Sequence, residues 1–160
     1  MHQKTLSFPL SRITFTASLV ALSVVGSYLK IPSPTGTVAL DSLPGFVGAL
    51  VLGYPEGALI AFLGHILTSM NVGFPLGVLV HLIIAAEMAG IAVSFRFSVK
   101  PGKYALGVVV GTILNGIIAP LTLVPLFGWG FFSGIVVSLL VASAVNLILA
   151  CVIHRILTKR

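Results

Sequence analysis

Gly77-Val-Leu-Val-His-Leu-Ile-Ile-Ala-Ala-Glu-Met-Ala-Gly-Ile-Ala-Val-Ser-Phe95 decides how this chain has to be read. The run stops at Arg96, and inside it only His81 and Glu87 can carry charge. A helix needs about 20 apolar residues to cross a hydrocarbon layer, and this stretch has that length and character. Outward from it lie further apolar segments at 12–29, 38–53 and 57–72 before it, and 104–124 and 131–154 after it. The joins are rich in glycine and proline, the residues that interrupt helices. They are Pro32-Ser-Pro34, Gly53-Tyr-Pro-Glu-Gly57, Gly73-Phe-Pro-Leu-Gly77, Pro101-Gly102, and Pro125 to Gly130.

Composition agrees. Of 160 residues, 58% are hydrophobic and 8% charged, with a mean hydropathy of +1.17. A soluble domain carries roughly 25% charged residues, so lipid is the expected solvent. The expected fold is an all-α membrane protein: one domain over 1–160, a bundle of six transmembrane helices. Lys4, Arg12 and the apolar run Ile13 to Val25 have the outline of a secretory signal. Further apolar segments follow, so the run reads as a retained first helix. The single Cys151 excludes an internal disulfide.

The net charge of +6 does not point to nucleic acid, because the cations sit at the ends of apolar runs and not along one face. They point to orientation instead, since cytoplasmic loops retain lysine and arginine. With both termini cytoplasmic, Lys4, Arg12, Arg96, Lys100, Lys103, Arg155, Lys159 and Arg160 lie inside, leaving only Lys30 outside. The outer connections cut into the helices. Pro44 suits the first turn of the second helix, which leaves Thr37 to Leu43 non-helical at membrane depth or the helix kinked. Pro120 and Pro125 interrupt the outer end of the fifth. Irregular backbone in a bilayer survives only where protein buries it or it lines a wet cavity. Several breaks on one side therefore imply a cavity opening outward.

The carboxylates are Asp41, Glu56 and Glu87. Glu56, beside Pro55 in an inner turn, is expected to be solvated. Asp41 lies in apolar sequence, where ionisable groups face a partner or a cavity, or it is satisfied by the amides that start the second helix. His65 shares a helix face with Thr68 and Ser69. Glu87 follows His81 by six residues and so points about 120° away on an ideal helix. The two are not expected to aim into one pocket, and Glu87 is expected to bond a neighbouring helix, with His65 as the suggested partner. Asn115 and Asn146 serve equally as ligand contacts or as links between helices.

No catalytic triad, no H-E-x-x-H and no close set of metal ligands occurs, so neither an enzyme nor a metal or other cofactor is expected. No G-x-x-x-x-G-K-[ST] loop occurs either, so any energy for transport has to come from a partner. Ala17-x-x-x-Ala21 is a small-residue ridge that lets another helix approach closely. Gly134, Ser138, Ala142, Asn146 and Ala150 form a second, with packing inside the bundle as the competing reading.

Taken together, these features resemble the substrate-binding S component of energy-coupling factor (ECF) vitamin transporters over nearly the whole chain. The resemblance implies that Ala17 and Ala21 contact a transmembrane T component, that two ATPase subunits supply energy, and that the loop Lys30 to Pro44 covers a vitamin bound from outside. It also implies the plasma membrane of a prokaryote. Ile31-Pro-Ser-Pro-Thr-Gly36, Ala39-Leu-Asp-Ser-Leu-Pro-Gly45, Gly64-His65, Gly73-Phe-Pro-Leu-Gly77 and His81-Leu-Ile-Ile-Ala-Ala-Glu-Met88 look like the S components assigned to α-ribazole. This nucleoside joins an apolar benzimidazole to a ribose and calls for a flat slot with a few polar groups. By depth and residue type, Phe46, Phe74 and Trp129 are candidates for the slot. Asp41, His65, Asn71, His81 and Asn115 are candidates for the polar contacts. Another vitamin such as cobalamin, a small membrane enzyme and a scaffold for partner helices are the alternatives.

Overall fold

The computed structural model describes residues 10–33 and 36–159. Lys4 and Arg160 of the basic set and Pro34-Thr35 of the first connection lie outside them. Six helices and one hairpin follow in order: α1 (Leu10–Gly26), β1 (Lys30–Ser33), β2 (Gly36–Ala39), α2 (Leu43–Val51), α3 (Tyr54–Asn71), α4 (Val78–Ser98), α5 (Ala105–Thr122) and α6 (Val124–Thr158). The strands pair antiparallel, from Lys30 opposite Ala39 to Ser33 opposite Gly36.

The second helix departs most from its expected span of 38–53. Pro44 sits in its first turn, where a missing N–H costs nothing, and residues 36–39 pair as a strand instead. Nine residues of helix rise about 13 Å, far short of a bilayer. By length and composition α4, α5 and α6 can cross one, and α1 is a shorter apolar helix. The fifth helix carries a π turn over Leu114–Ile118 just before the buried Pro120. Proline cannot donate the helical bond to the carbonyl four residues back, and one wider turn takes up the mismatch. The sixth helix begins earlier than the expected 131, with Pro125 in its first turn and a break at Gly128 (φ 77°).

Packing is tightest between α2 and α3. A Cβ at Gly57 would lie 2.4 Å from the Ala49 Cα, and one at Gly45 would lie 3.0 Å from the Ala61 Cα. Only glycine lets the two backbones come this close. Phe46 is 0% exposed and meets Phe95 edge to face, 5.4 Å between centroids. The short α2 is thereby held beside the C-terminal half of α4, with Ala92, Leu147 and Ala150 completing the core. The α6 ridge faces inward, with Ala142, Asn146 and Ala150 buried, whereas Ala17 and Ala21 on α1 are exposed.

Contacts between helix termini define one end of the bundle. Arg12 pairs with Glu56 at 2.6 Å and donates to the Leu52 carbonyl. Arg96 stacks over Tyr54, and Tyr104 Oη lies 2.9 Å from His154 Nδ1. The starts of α1, α3 and α5 thus join the ends of α2, α4 and α6. Glu56 is not solvated as expected: it is 7% exposed, because Arg12 reaches across from α1 to neutralise it.

Candidate binding site

At the opposite end lies a cavity of about 480 Å³, within the range that small-molecule sites occupy. Its roof is the end of α1 at Ser27 and the turn Asp41-Ser42. Its walls come from α3 (His65, Thr68, Ser69), α4 (His81, Ile84, Glu87, Met88), α5 (Asn115, Ala119, Pro120) and α6 (Phe131, Ile135, Leu139, Ser143, Asn146). The helix interruptions surround it. The π turn contains Asn115 and turns its amide to Ser143 Oγ at 2.9 Å. The α3–α4 loop has left-handed backbone at Gly73, Phe74 and Gly77; at Phe74 this is a strained conformation for a residue with a side chain.

The polar groups form three linked sets. Thr68 Oγ1 donates to Asp41 Oδ2 at 3.1 Å, and Ser42 Oγ to Asp41 Oδ1 at 3.3 Å. His65 Nε2 lies 3.2 Å and Ser69 Oγ 2.9 Å from His81 Nδ1. The Leu76 amide donates to His81 Nε2 over a long 3.4 Å. That amide can only donate, which assigns the His81 proton to Nδ1 and leaves His65 Nε2 as an acceptor. Both imidazoles are then neutral. Glu87 Oε1 accepts from the Oγ1 of the exposed Thr122, outside the cavity lining, at 2.6 Å, while Glu87 Oε2 is buried with no hydrogen-bond partner.

Of the residues singled out from sequence, Asp41, His65, His81 and Asn115 line this cavity and the other four do not. Phe46 belongs to the core, because α2 starts late and turns it toward Phe95. Asn71 is exposed and accepts from Tyr28 Oη at 3.1 Å. Phe74 stands behind the wall, its ring 5.8 Å from that of His81. Trp129 is 67% exposed against Phe132, because Gly128 swings the start of α6 outward.

The expected divergence of His81 and Glu87 does not keep them apart, since both line the cavity. The cavity follows α4 for nearly two turns, so His81 leans toward α3 and Glu87 toward α5. Glu87 does bond a neighbouring helix, but through Thr122 and not His65. Sequence reasoning did not assign Ser27, Ser42, Met88, Phe131 or Ser143 to the site. Thr68 and Ser69 were legible from their shared face with His65. The others carry no signal without the fold.

The family model described as ECF transporter, substrate-specific component matches residues 11–158. No curated protein sequence matches the chain. Among solved structures, the S component of a bacterial ECF transporter aligns with a TM-score of 0.69 at 18% identity, covering 93% of this chain and 96% of that one. At that identity the likeness concerns the fold.

Proposed function

The chain belongs to the family of substrate-specific components of ECF transporters, and on that premise we propose that its cavity captures α-ribazole from outside the cell. Members of this family are multi-pass membrane proteins that bind a small vitamin-type solute and work with a T component and an ATPase module. They are not enzymes.

The observation that carries the α-ribazole reading is the division of the cavity wall. Ile84, Met88, Leu123, Phe131, Ile135 and Leu139 offer an apolar slot for a benzimidazole. Asp41, Thr68, the histidine pair and Asn115 offer acceptors and donors for ribose hydroxyls and a ring nitrogen. Of the stretches that resemble α-ribazole S components, Asp41, Ser42, His65, Pro75, Leu76, His81, Ile84, Glu87 and Met88 contribute to this wall. Cobalamin, with its corrin ring, is a much larger molecule than a nucleoside, so a cavity of about 480 Å³ favours the smaller solute.

The basic end of the bundle faces the cytoplasm, with both termini there and the cavity opening outward through the plasma membrane of a prokaryote. The exposed ridge of Ala17 and Ala21 receives the T component, and two ATPase subunits power release. Substituting Ala17→Trp or Ala21→Trp then spares solute binding and lowers complex assembly and uptake. Unimpaired uptake in both variants would remove the partner role from α1.

The deciding experiment is titration calorimetry on the detergent-purified chain against vitamins and precursors. The expected result is tight binding of α-ribazole, with benzimidazole and cobalamin much weaker. Tight binding of another vitamin would replace the cargo. Binding of none would refute the capture role.

A further inference from the structure

We infer that the cavity selects its solute by charge, admitting neutral or cationic molecules and rejecting anions, with Glu87 reading a hydrogen-bond donor on the solute. The inference rests on the cavity being the solute site but not on the solute being α-ribazole.

Among the described residues that line it, the cavity has no lysine or arginine; its ionisable groups are Asp41, Glu87, His65 and His81. The donor order around His81 leaves both imidazoles neutral. Just before the start of α2, the Asp41 carboxyl lies beside Ser42 and lines the cavity. An entering anion would meet two carboxyl groups and no fixed cation.

Much of the remaining polar wall offers acceptors. A hydroxyl has one proton to give, and at Thr68 and Ser143 it is committed to the protein. Thr68 gives its proton to Asp41 or the His65 carbonyl and Ser143 to the Leu139 carbonyl, while Thr122, outside the cavity lining, gives its own to Glu87 or the Ala119 carbonyl. Such a wall suits solutes rich in O–H or N–H groups, and it repels phosphate and carboxylate, which only accept. The Glu87 carboxyl is the acceptor with most to gain: it lines the cavity, and its Oε2 is closed off and unpartnered until the side chain turns toward a donor on the solute. The same carboxyl also borders a narrow cleft of about 200 Å³ between α4 and α5, beside Ser94 and Ile118. A solute donor that draws this carboxyl round therefore sits where the cavity meets the seam between these helices.

The test titrates the purified full chain with matched pairs: α-ribazole and its 5′-phosphate, thiamin and thiamin phosphate, pyridoxine and its phosphate. Biotin and pantothenate, which carry carboxylates, are added. The best binder is expected to be neutral or cationic, with its phosphate weaker by about 100-fold, the effect of one like charge near 6 Å at a half-buried site. A phosphate or carboxylate that binds within about 10-fold of the best neutral solute overturns the inference. So does a panel in which no neutral or cationic member binds.

The two readings fail separately. A charge gap on thiamin or pyridoxine keeps the charge rule and discards α-ribazole. Equal binding of α-ribazole and its phosphate keeps the cargo and discards the rule. Glu87→Gln combined with Asp41→Asn should narrow the gap to under about 10-fold, with folding checked by size exclusion. An unchanged gap in the folded variant removes the role from these carboxyls, and the matched pairs on the unaltered chain decide the rule if that variant does not fold.

Discussion

The two ends of the bundle solve opposite problems with the same kinds of residue. At the basic end the helix termini meet directly: Arg12 neutralises Glu56, Arg96 covers Tyr54, and Phe46 fills the space beside Phe95. At the cavity end the backbone is repeatedly interrupted. Helix α2 starts only at Leu43, α4 follows a loop with three left-handed residues, α5 takes a π turn, and α6 breaks at Gly128. In lipid a regular helix satisfies its own backbone, so every interruption needs protein or water to complete it. The comparison teaches that such breaks gather where a cavity has to be held open, and that stability is concentrated at the other end.

The largest expected effect tests that separation from the stable side. Arg12→Ala leaves the Glu56 carboxyl buried without its cation and, with the Arg12 side chain itself 41% exposed, should cost about 2 kcal/mol, seen as a lower thermal midpoint in detergent. Solute affinity should stay the same. A parallel fall in affinity would mean that the two ends are one cooperative unit. From the cavity side, Asp41→Ala removes a carboxyl held by the Thr68 and Ser42 hydroxyls and by the backbone amides of Asp41 and Ser42. Stability should drop by about 1 kcal/mol, and solute affinity on the order of 10-fold or more by calorimetry. If stability falls and affinity does not, Asp41 orders the loop and touches no solute. The smallest effect sharpens the boundary of the site. Trp129→Ala, on an exposed residue beyond the Gly128 break, should change affinity by less than about 2-fold. A larger loss would place the start of α6 over the bound solute.

Much of the fold was legible because lipid imposes a readable rule: long apolar runs, breakers between them and cations at their ends. The weak point was helix two, where the stretch 38–53 is apolar apart from Asp41 and Ser42 but only its second part is helical. Pro44 gave notice of that, since a proline is comfortable in a first turn and costly in an interior. The site was legible in part. Asp41, His65, His81 and Asn115 stood out as polar groups in apolar surroundings, and they line the cavity. Phe46 and Trp129 lie away from this cavity for a shared reason: nearness to a helix end says nothing about which way the helix is turned.

Amino-acid order alone thus determined the solvent of this protein, its six apolar segments and the places where its backbone would break, because these follow from neighbouring residues. Only the tertiary structure decided which polar groups meet. Glu87 finds Thr122 from 35 positions away and Asn115 finds Ser143 from 28. Such meetings depend on how far each helix is rotated and how closely it is packed. Contacts like Gly57 on Ala49 and Gly116 on Leu140 set both, and these join parts of the chain that no local pattern connects.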